Sequence, residues 1–318
     1  MKHFLQLIRY KNLLMIIATQ FIMRYGLFYA MLDNYKVMNV TLELQLPFIQ
    51  FLLLVLATVF ICASGYIIND YFDVNMDMIN KPDNVIVGKH ISRRTAMLWH
   101  WIFNVVGISF GAVVSIHIGY WNFTILFVLI ASVLWLYSTS FSKQAFVGNI
   151  IVALLVAMVP LIVAIYELIP LNFMYHTVLS KMYLSFETLM FWSFGYALFA
   201  FLLSFIREMV KDVEDFEGDA AFGRNTIPIA LGIPVAKFIV SAVYIITLGA
   251  LIFVFFAYLQ EIESGIYIFS GIIIPLFVSA VFFIRAKSSR NYSVVSAMLK
   301  AIMVLGLLYI PFKHYVCM

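Results

Sequence analysis

Charge is scarce in this chain: Asp, Glu, Lys and Arg make up 11% of its 318 residues, against about 25% in an ordinary soluble domain. With 64% hydrophobic residues and a mean hydropathy of +1.01, it lacks the polar surface that a water-soluble fold requires, which excludes the soluble enzyme classes. Cysteine is also rare. Cys62 sits inside an apolar run and Cys317 near the end, a spacing that gives neither a disulfide framework nor a zinc site, so both read as packing and tail residues. There is no linker rich in Gly, Pro or Ser, no low-complexity tract and no hydrophilic block large enough for a soluble module. A single domain over residues 1–318 is expected. The net charge of +4 needs no nucleic-acid partner, because anchoring to a lipid bilayer accounts for it.

What is present is a series of runs of about 20 apolar residues, the length that crosses the hydrocarbon core. They begin near Asn12, Phe48, Ala96, Trp121, Phe146, Glu187, Val235, Gly265 and Ser293. The fold class expected is therefore all-α, a polytopic membrane protein with nine transmembrane helices. The first run is too long for a signal-peptide core and no small-residue cleavage site follows it, so it reads as a retained helix. With the N-terminus inside, fifteen Lys and Arg fall in cytoplasmic segments and three (Lys36, Lys181, Lys313) on the opposite side. The positive-inside rule then makes the N-terminus cytoplasmic, in a multi-pass protein of the cell (inner) membrane.

Ten of the sixteen acidic residues lie in two polar connections on that same side, Asn69 to Thr95 and Arg207 to Pro234. These connections repeat each other. Asp70, Asp73 and Asp77 have spacings of three and four; Asp212, Asp215 and Asp219 have the same spacings, each displaced by 142 positions. Residues at i, i+3 and i+7 share a helix face, so each copy is expected to present a carboxylate stripe where a span runs out of the membrane. Four spans separate the copies, an even number, so both stripes emerge on one side. Carboxylates packed so closely repel unless a cation lies between them. Hard oxygen ligands suit Mg²⁺, which takes few protein carboxylates and completes its shell with phosphate oxygens and water. A diphosphate held by Mg²⁺ is the implied ligand, with Lys89, Arg93, Arg94, Lys143, Arg207 and Lys211 on the same side to grip its remaining charge.

The stretch NDYFDVNMD (Asn69 to Asp77) resembles the first aspartate-rich motif of the UbiA-type intramembrane prenyltransferases, and REMVKDVEDFEGD (Arg207 to Asp219) resembles the second. INKPDNVIVGKHISRR, LYSTSFSKQAFVGN and GDAAFGRNTIPIALG resemble the family's loop after motif one, its fourth helix end and its approach to helix seven. One departure is Asn84-Val85, where many members carry Arg-Pro; it argues against assigning a phosphate contact to that spot and does not bear on the metal site. The resemblance implies helices around a central cavity, capped by the two loops, in which a polyprenyl diphosphate donor is joined to a lipid-soluble or amphiphilic acceptor.

On that resemblance Asp73, Asp77, Asp215 and Asp219 are the expected catalytic metal ligands, with Asn69, Asp70 and Asp212 completing or orienting the shell. Arg94, Lys143, Arg207 and Lys211 are expected to hold diphosphate oxygens, with Tyr137 as a hydroxyl partner. The second motif looks most like the branch that transfers a geranylgeranyl group to geranylgeranylglyceryl phosphate in ether-lipid synthesis. The alternative acceptor is an aromatic quinone precursor of the hydroxybenzoate, dihydroxynaphthoate or homogentisate type. A competing class is a cation transporter, but transporters place coupling-ion sites near the bilayer midplane on broken helices, whereas these acids lie at helix ends. Of the polar residues inside spans, Arg24 and Asn149 are costly against lipid and are expected to face a cavity or pair with a neighbour. Lys300 is expected to snorkel outward, and His100 and His117, which have no metal-ligand spacing, to sit at packing or interface positions.

Overall fold

The structure is a computed structural model that describes residues 2–34, 42–80, 82–182 and 186–316. Lys36, Lys81 and Cys317 lie outside the described residues, as do the side chains of Asn84 and Lys181. Nine helices among the described residues are long and apolar enough to cross a membrane: α1 (Tyr10–Leu32), α2 (Phe48–Asn80), α3 (Arg93–His117), α4 (Trp121–Thr139), α5 (Val147–Met182), α6 (Glu187–Glu214), α7 (Ile233–Tyr258), α8 (Ile262–Arg285) and α9 (Ser289–Val316). No strand occurs among the described residues; isolated bridges join Val87 to Ile91 and Gln144 to Asn225. Several helices start a few residues before the apolar run that announces them. The reason is local: Ser92 caps α3, its side chain accepting the Thr95 N–H at 3.1 Å, so the first turn is polar and invisible to hydropathy.

The chain divides into two compact units, one of Met1–Ser142 and Met158–Phe194, the other of Lys143–Ala157 and Gly195–Met318. In the first unit α2 runs along α3, and Gly107 and Gly111, one turn apart on α3, allow close approach. A Cβ on Gly107 would lie 2.8 Å from the Ile61 side chain of α2, and one on Gly111 2.3 Å from the Phe127 ring of α4. Gly111→Ala is therefore expected to destabilise by about 1–3 kcal/mol through overpacking, read as a lower thermal midpoint in detergent. Gly249→Ala, where nothing lies within 4 Å, should cause no fall.

Arg24 is buried in this unit, on a stretch of α1 that widens into π-helical turns over Ile22–Tyr29. Its Nε donates to Glu167 Oε1 of α5 at 2.6 Å, its remaining nitrogens donate to the Leu46 carbonyl and the Tyr25 hydroxyl, and its guanidinium lies 4.4 Å from the Phe51 ring centroid. The other Glu167 oxygen accepts the backbone N–H groups of Gln45 and Leu46 at 3.0 and 3.3 Å. Of the two readings open for Arg24, the structure takes the pairing. His100 also packs as expected: Asn104 Nδ2 donates to its Nε2 at 3.1 Å, leaving Nδ1 to donate to the Ser64 carbonyl at 3.0 Å. His117, the last residue of α3, lines a recess of about 210 Å³ with Gln45, Tyr120, Pro170 and Phe173.

In the second unit Ile206, Met209, Val210 and Val213 of α6 pack with Ala236, Val240 and Tyr244 of α7, Leu276 and Phe283 of α8, and Val295 and Leu299 of α9. Lys237 donates to the Ala286 and Ile284 carbonyls at 2.6 and 3.0 Å, satisfying the open C-terminal carbonyls of α8. The outer face of α7 carries Phe238, Ile245, Phe253 and Phe256 in exposed positions, a surface suited to lipid rather than water.

Candidate active site

Helix length places the first acidic motif. α2 has 33 residues and spans about 50 Å, well beyond the roughly 30 Å of a hydrocarbon core, so its polar C-terminal turns can leave the membrane without ending the helix. Asp70, Asp73 and Asp77 lie on this unbroken helix and share a face, as the spacing predicts. Asp73 is only 9% exposed, and its Oδ2 accepts the Asn69 side-chain amide at 3.0 Å. Asp77 and Asn69 are half-buried. Asp70 is turned to a different partner: its Oδ1 accepts Arg9 NH2 at 2.8 Å. Beside this motif, Arg93 lies 5.2 Å from the Tyr71 ring centroid, and Phe72 meets Trp135 of α4 edge-on at 6.1 Å. Arg94 is exposed in the first turn of α3, and Tyr137 is half-buried on α4.

The second motif differs from the sequence expectation. α6 stops at Glu214, Asp215 sits at a one-residue break (φ −95°, ψ 12°), and a short helix, Phe216–Ala221, follows. The three aspartates therefore do not share one uninterrupted helix. Backbone bonds from Asp215 N to the Lys211 carbonyl and from Asp219 N to the Asp215 carbonyl (2.8 and 3.0 Å) carry the chain round the break. Asp219 is 2% exposed, with Arg224 Nε 3.9 Å from its Oδ1. Asp212 Oδ2 accepts Asn149 Nδ2 at 2.8 Å, so Asn149 takes the pairing expected of it. Two of the predicted diphosphate cations are gathered by one acid: Glu208 accepts Arg207 NH1 at 2.8 Å and Lys211 Nζ at 3.1 Å. Lys143 is tied to the loop after the second motif through its carbonyl, which accepts Asn225 N at 2.9 Å, and its side chain is exposed.

Arg9 and Glu208 are the residues that sequence reasoning passed over. Arg9 stands directly before the first span on the side of the acidic motif. Glu208 stands at i+1 from Arg207 and i−3 from Lys211, a pairing distance on a helix. Burial works against the charged Arg9 guanidinium, but Asp70 and its neighbours outweigh it and hold the group firmly protonated. The donor set of both motifs is hard oxygen, without thiol or imidazole, which fits Mg²⁺. Among the described residues no three His, Cys, Asp or Glu side chains form a ready-made cage, and Mg²⁺ is the ion that takes one or two carboxylates and shares the rest of its shell with phosphates.

Comparison with known proteins places the chain. The profile of the UbiA prenyltransferase family matches residues 38–304. The digeranylgeranylglyceryl phosphate synthase of Thermococcus kodakarensis is 34% identical over 206 residues, 64% of this chain and 65% of that protein; the matched chain spans just under two thirds of that relative's length. A solved structure from work on digeranylgeranylglyceryl phosphate synthase in membranes aligns over 98% of both chains with a TM-score of 0.63 at 23% identity. A UbiA homolog from Archaeoglobus fulgidus bound to DMAPP and Mg²⁺ aligns over 97% of this chain and 99% of that one, with a TM-score of 0.54 at 16% identity. The two structures share the fold, and the profile covers both acidic motifs: this chain belongs to the UbiA prenyltransferase family.

Proposed function

We propose that the chain, acting as a single domain over residues 1–318, transfers a geranylgeranyl group from its diphosphate to geranylgeranylglyceryl phosphate at the cytoplasmic face of the membrane. The observation that carries this reading is the acidic repeat, two copies with identical spacing at the ends of α2 and α6, in a chain whose family is shown and whose curated relative bears that synthase name. The excess of basic residues on the motif side supports the cytoplasmic placement.

Asp73 and Asp77 from the first motif and Asp215 and Asp219 from the second would hold Mg²⁺, with Asn69, Asp70 and Asp212 orienting them. Bound there, the ion supplies charge stabilisation to the departing diphosphate. Arg207 and Lys211, already gathered by Glu208, would bind the non-bridging oxygens together with Arg94, Lys143 and the Tyr137 hydroxyl. The allylic carbon–oxygen bond breaks, diphosphate takes the electron pair, and the acceptor hydroxyl forms the new ether bond and loses its proton. Apolar helix faces would exclude water from the allylic cation, which hydrolysis would otherwise consume.

Incubation of the purified protein with Mg²⁺, labelled geranylgeranyl diphosphate and each acceptor class should yield the diether phosphate by mass. Alkylation of the aromatic acid alone would move the acceptor to the quinone-precursor branch, and failure to release diphosphate would overturn the reading. Chelation of divalent ions should abolish turnover and added Mg²⁺ restore it, measured as diphosphate release.

A further inference from the structure

Three carboxylates on one helix face, three and four residues apart, repel one another before any ligand arrives, yet the structure already holds a cation against the first of them. Arg9 NH2 donates to Asp70 Oδ1 at 2.8 Å, its guanidinium lies 5.0 Å from the Tyr66 ring centroid one turn earlier on α2, and Asn12 reaches the Tyr66 hydroxyl at 3.4 Å. The Asp70 side chain is 16% exposed.

The backbone bends to make this contact. Arg9 has φ 50° and ψ 52°, the left-handed region that residues other than Gly and Asn rarely adopt. Such an outlier persists only where surrounding structure over-determines it, and it is a reason to look for a role. The surroundings are on both sides of it. The short helix Lys2–Leu7 buries Leu7 completely, packs Phe4 against Trp99 and Phe103 of α3, and stacks His3 on His90 at 3.8 Å. After the bend, Asn12 N returns to the Arg9 carbonyl at 2.8 Å. The N-terminal segment is thus strapped across the end of α2, and the strap delivers one guanidinium.

We propose that Arg9 is a positioning residue for the first motif, acting through Asp70, which serves as its anchor rather than as a metal ligand. This rests on the Mg²⁺-diphosphate reading above. The division of labour follows from the contacts: Asn69 orients Asp73, Arg9 occupies Asp70, and the resident positive charge offsets part of the repulsion that would rotate Asp73 and Asp77 apart. Partners that orient ligands from outside the coordination shell govern metal affinity by about 10–100-fold.

The test is a double-mutant cycle of Arg9→Met, Asp70→Asn and both together, with Arg9→Lys and Asp73→Asn alongside, in detergent-purified full-length protein. Two quantities are read: the Mg²⁺ concentration for half-maximal activity, with KM and kcat separated, and the rise in thermal midpoint on adding Mg²⁺ with inorganic pyrophosphate. Each single variant is expected to raise the Mg²⁺ requirement about tenfold with a smaller change in kcat, the double to match either single, and Lys to recover part of the loss. The idea fails if Arg9→Met lowers only the metal-free midpoint and leaves the Mg²⁺ requirement unchanged, which is a purely structural strap. It also fails if Asp70→Asn is as inactive as Asp73→Asn and additive with Arg9→Met, which makes Asp70 a ligand in its own right. A wild type that releases no diphosphate would count against the proposed function alone, because the pyrophosphate-dependent midpoint still reads coupling between Arg9 and Asp70.

Discussion

Asp73→Asn and Asp215→Asn should each reduce prenyl transfer at least about a thousandfold, on the order of 4 kcal/mol of transition-state stabilisation, with the protein still folded. Asparagine keeps the size of aspartate, and at position 73 its amide oxygen can still accept the Asn69 amide that now reaches Asp73 Oδ2 at 3.0 Å. At 215, the backbone bond to the Lys211 carbonyl that turns the chain is independent of the side chain. What each substitution removes is one negative charge from a hard-oxygen donor set, so Mg²⁺ and the diphosphate it neutralises should be held less well as charge develops. Glu263→Gln, in an exposed position at the start of α8, should leave turnover unchanged. Steady-state diphosphate release against Mg²⁺ concentration decides the matter. A variant that keeps wild-type turnover with Asn at both 73 and 215 would remove these carboxylates from the chemistry.

How much of this was legible beforehand varies with the range of the forces involved. The nine spans follow from hydropathy, since each is specified by the solvent around it rather than by a distant partner; α2, α4 and α6 begin at Phe48, Trp121 and Glu187 as the runs indicate. Starts governed by caps were displaced, as at Arg93. The acidic repeat was legible because spacing is a one-dimensional property. The break at Asp215 was not, because nothing in KDVEDFEGD forbids a continuous helix, and no proline or positive-φ glycine marks the spot. Partners were the least legible. Asp70 finds Arg9 across 61 positions and Arg24 finds Glu167 across 143, and in both cases the sequence shows only that a costly group needs some neighbour.

That last pair makes the strongest stability prediction. Arg24 and Glu167 are 3% and 2% exposed, and in the contacts described above a donor meets an acceptor or a cation meets an aromatic face. A buried pair so fully satisfied need not stabilise the fold relative to apolar residues of the same volume, but removing one partner leaves a buried charge with no compensation, at about 3–5 kcal/mol. Glu167→Ala should therefore lower the unfolding midpoint steeply in detergent. Glu167→Gln should also be costly: both Glu oxygens accept, so in either orientation the amide nitrogen would face a donor, Arg24 Nε–H or the backbone N–H groups of Gln45 and Leu46. Arg24→Leu combined with Glu167→Leu should recover part of the loss of Glu167→Ala, because no charge is stranded, though not all of it, since the Leu46 carbonyl and the Gln45 N–H lose their partners. The KM for the prenyl diphosphate in whatever fraction stays folded should be unchanged, because the guanidinium's donors are already committed within the protein. A Glu167→Ala protein that unfolds with the wild type, or an altered donor KM at full stability, would show that this cluster acts on substrate and is not the clamp its geometry describes.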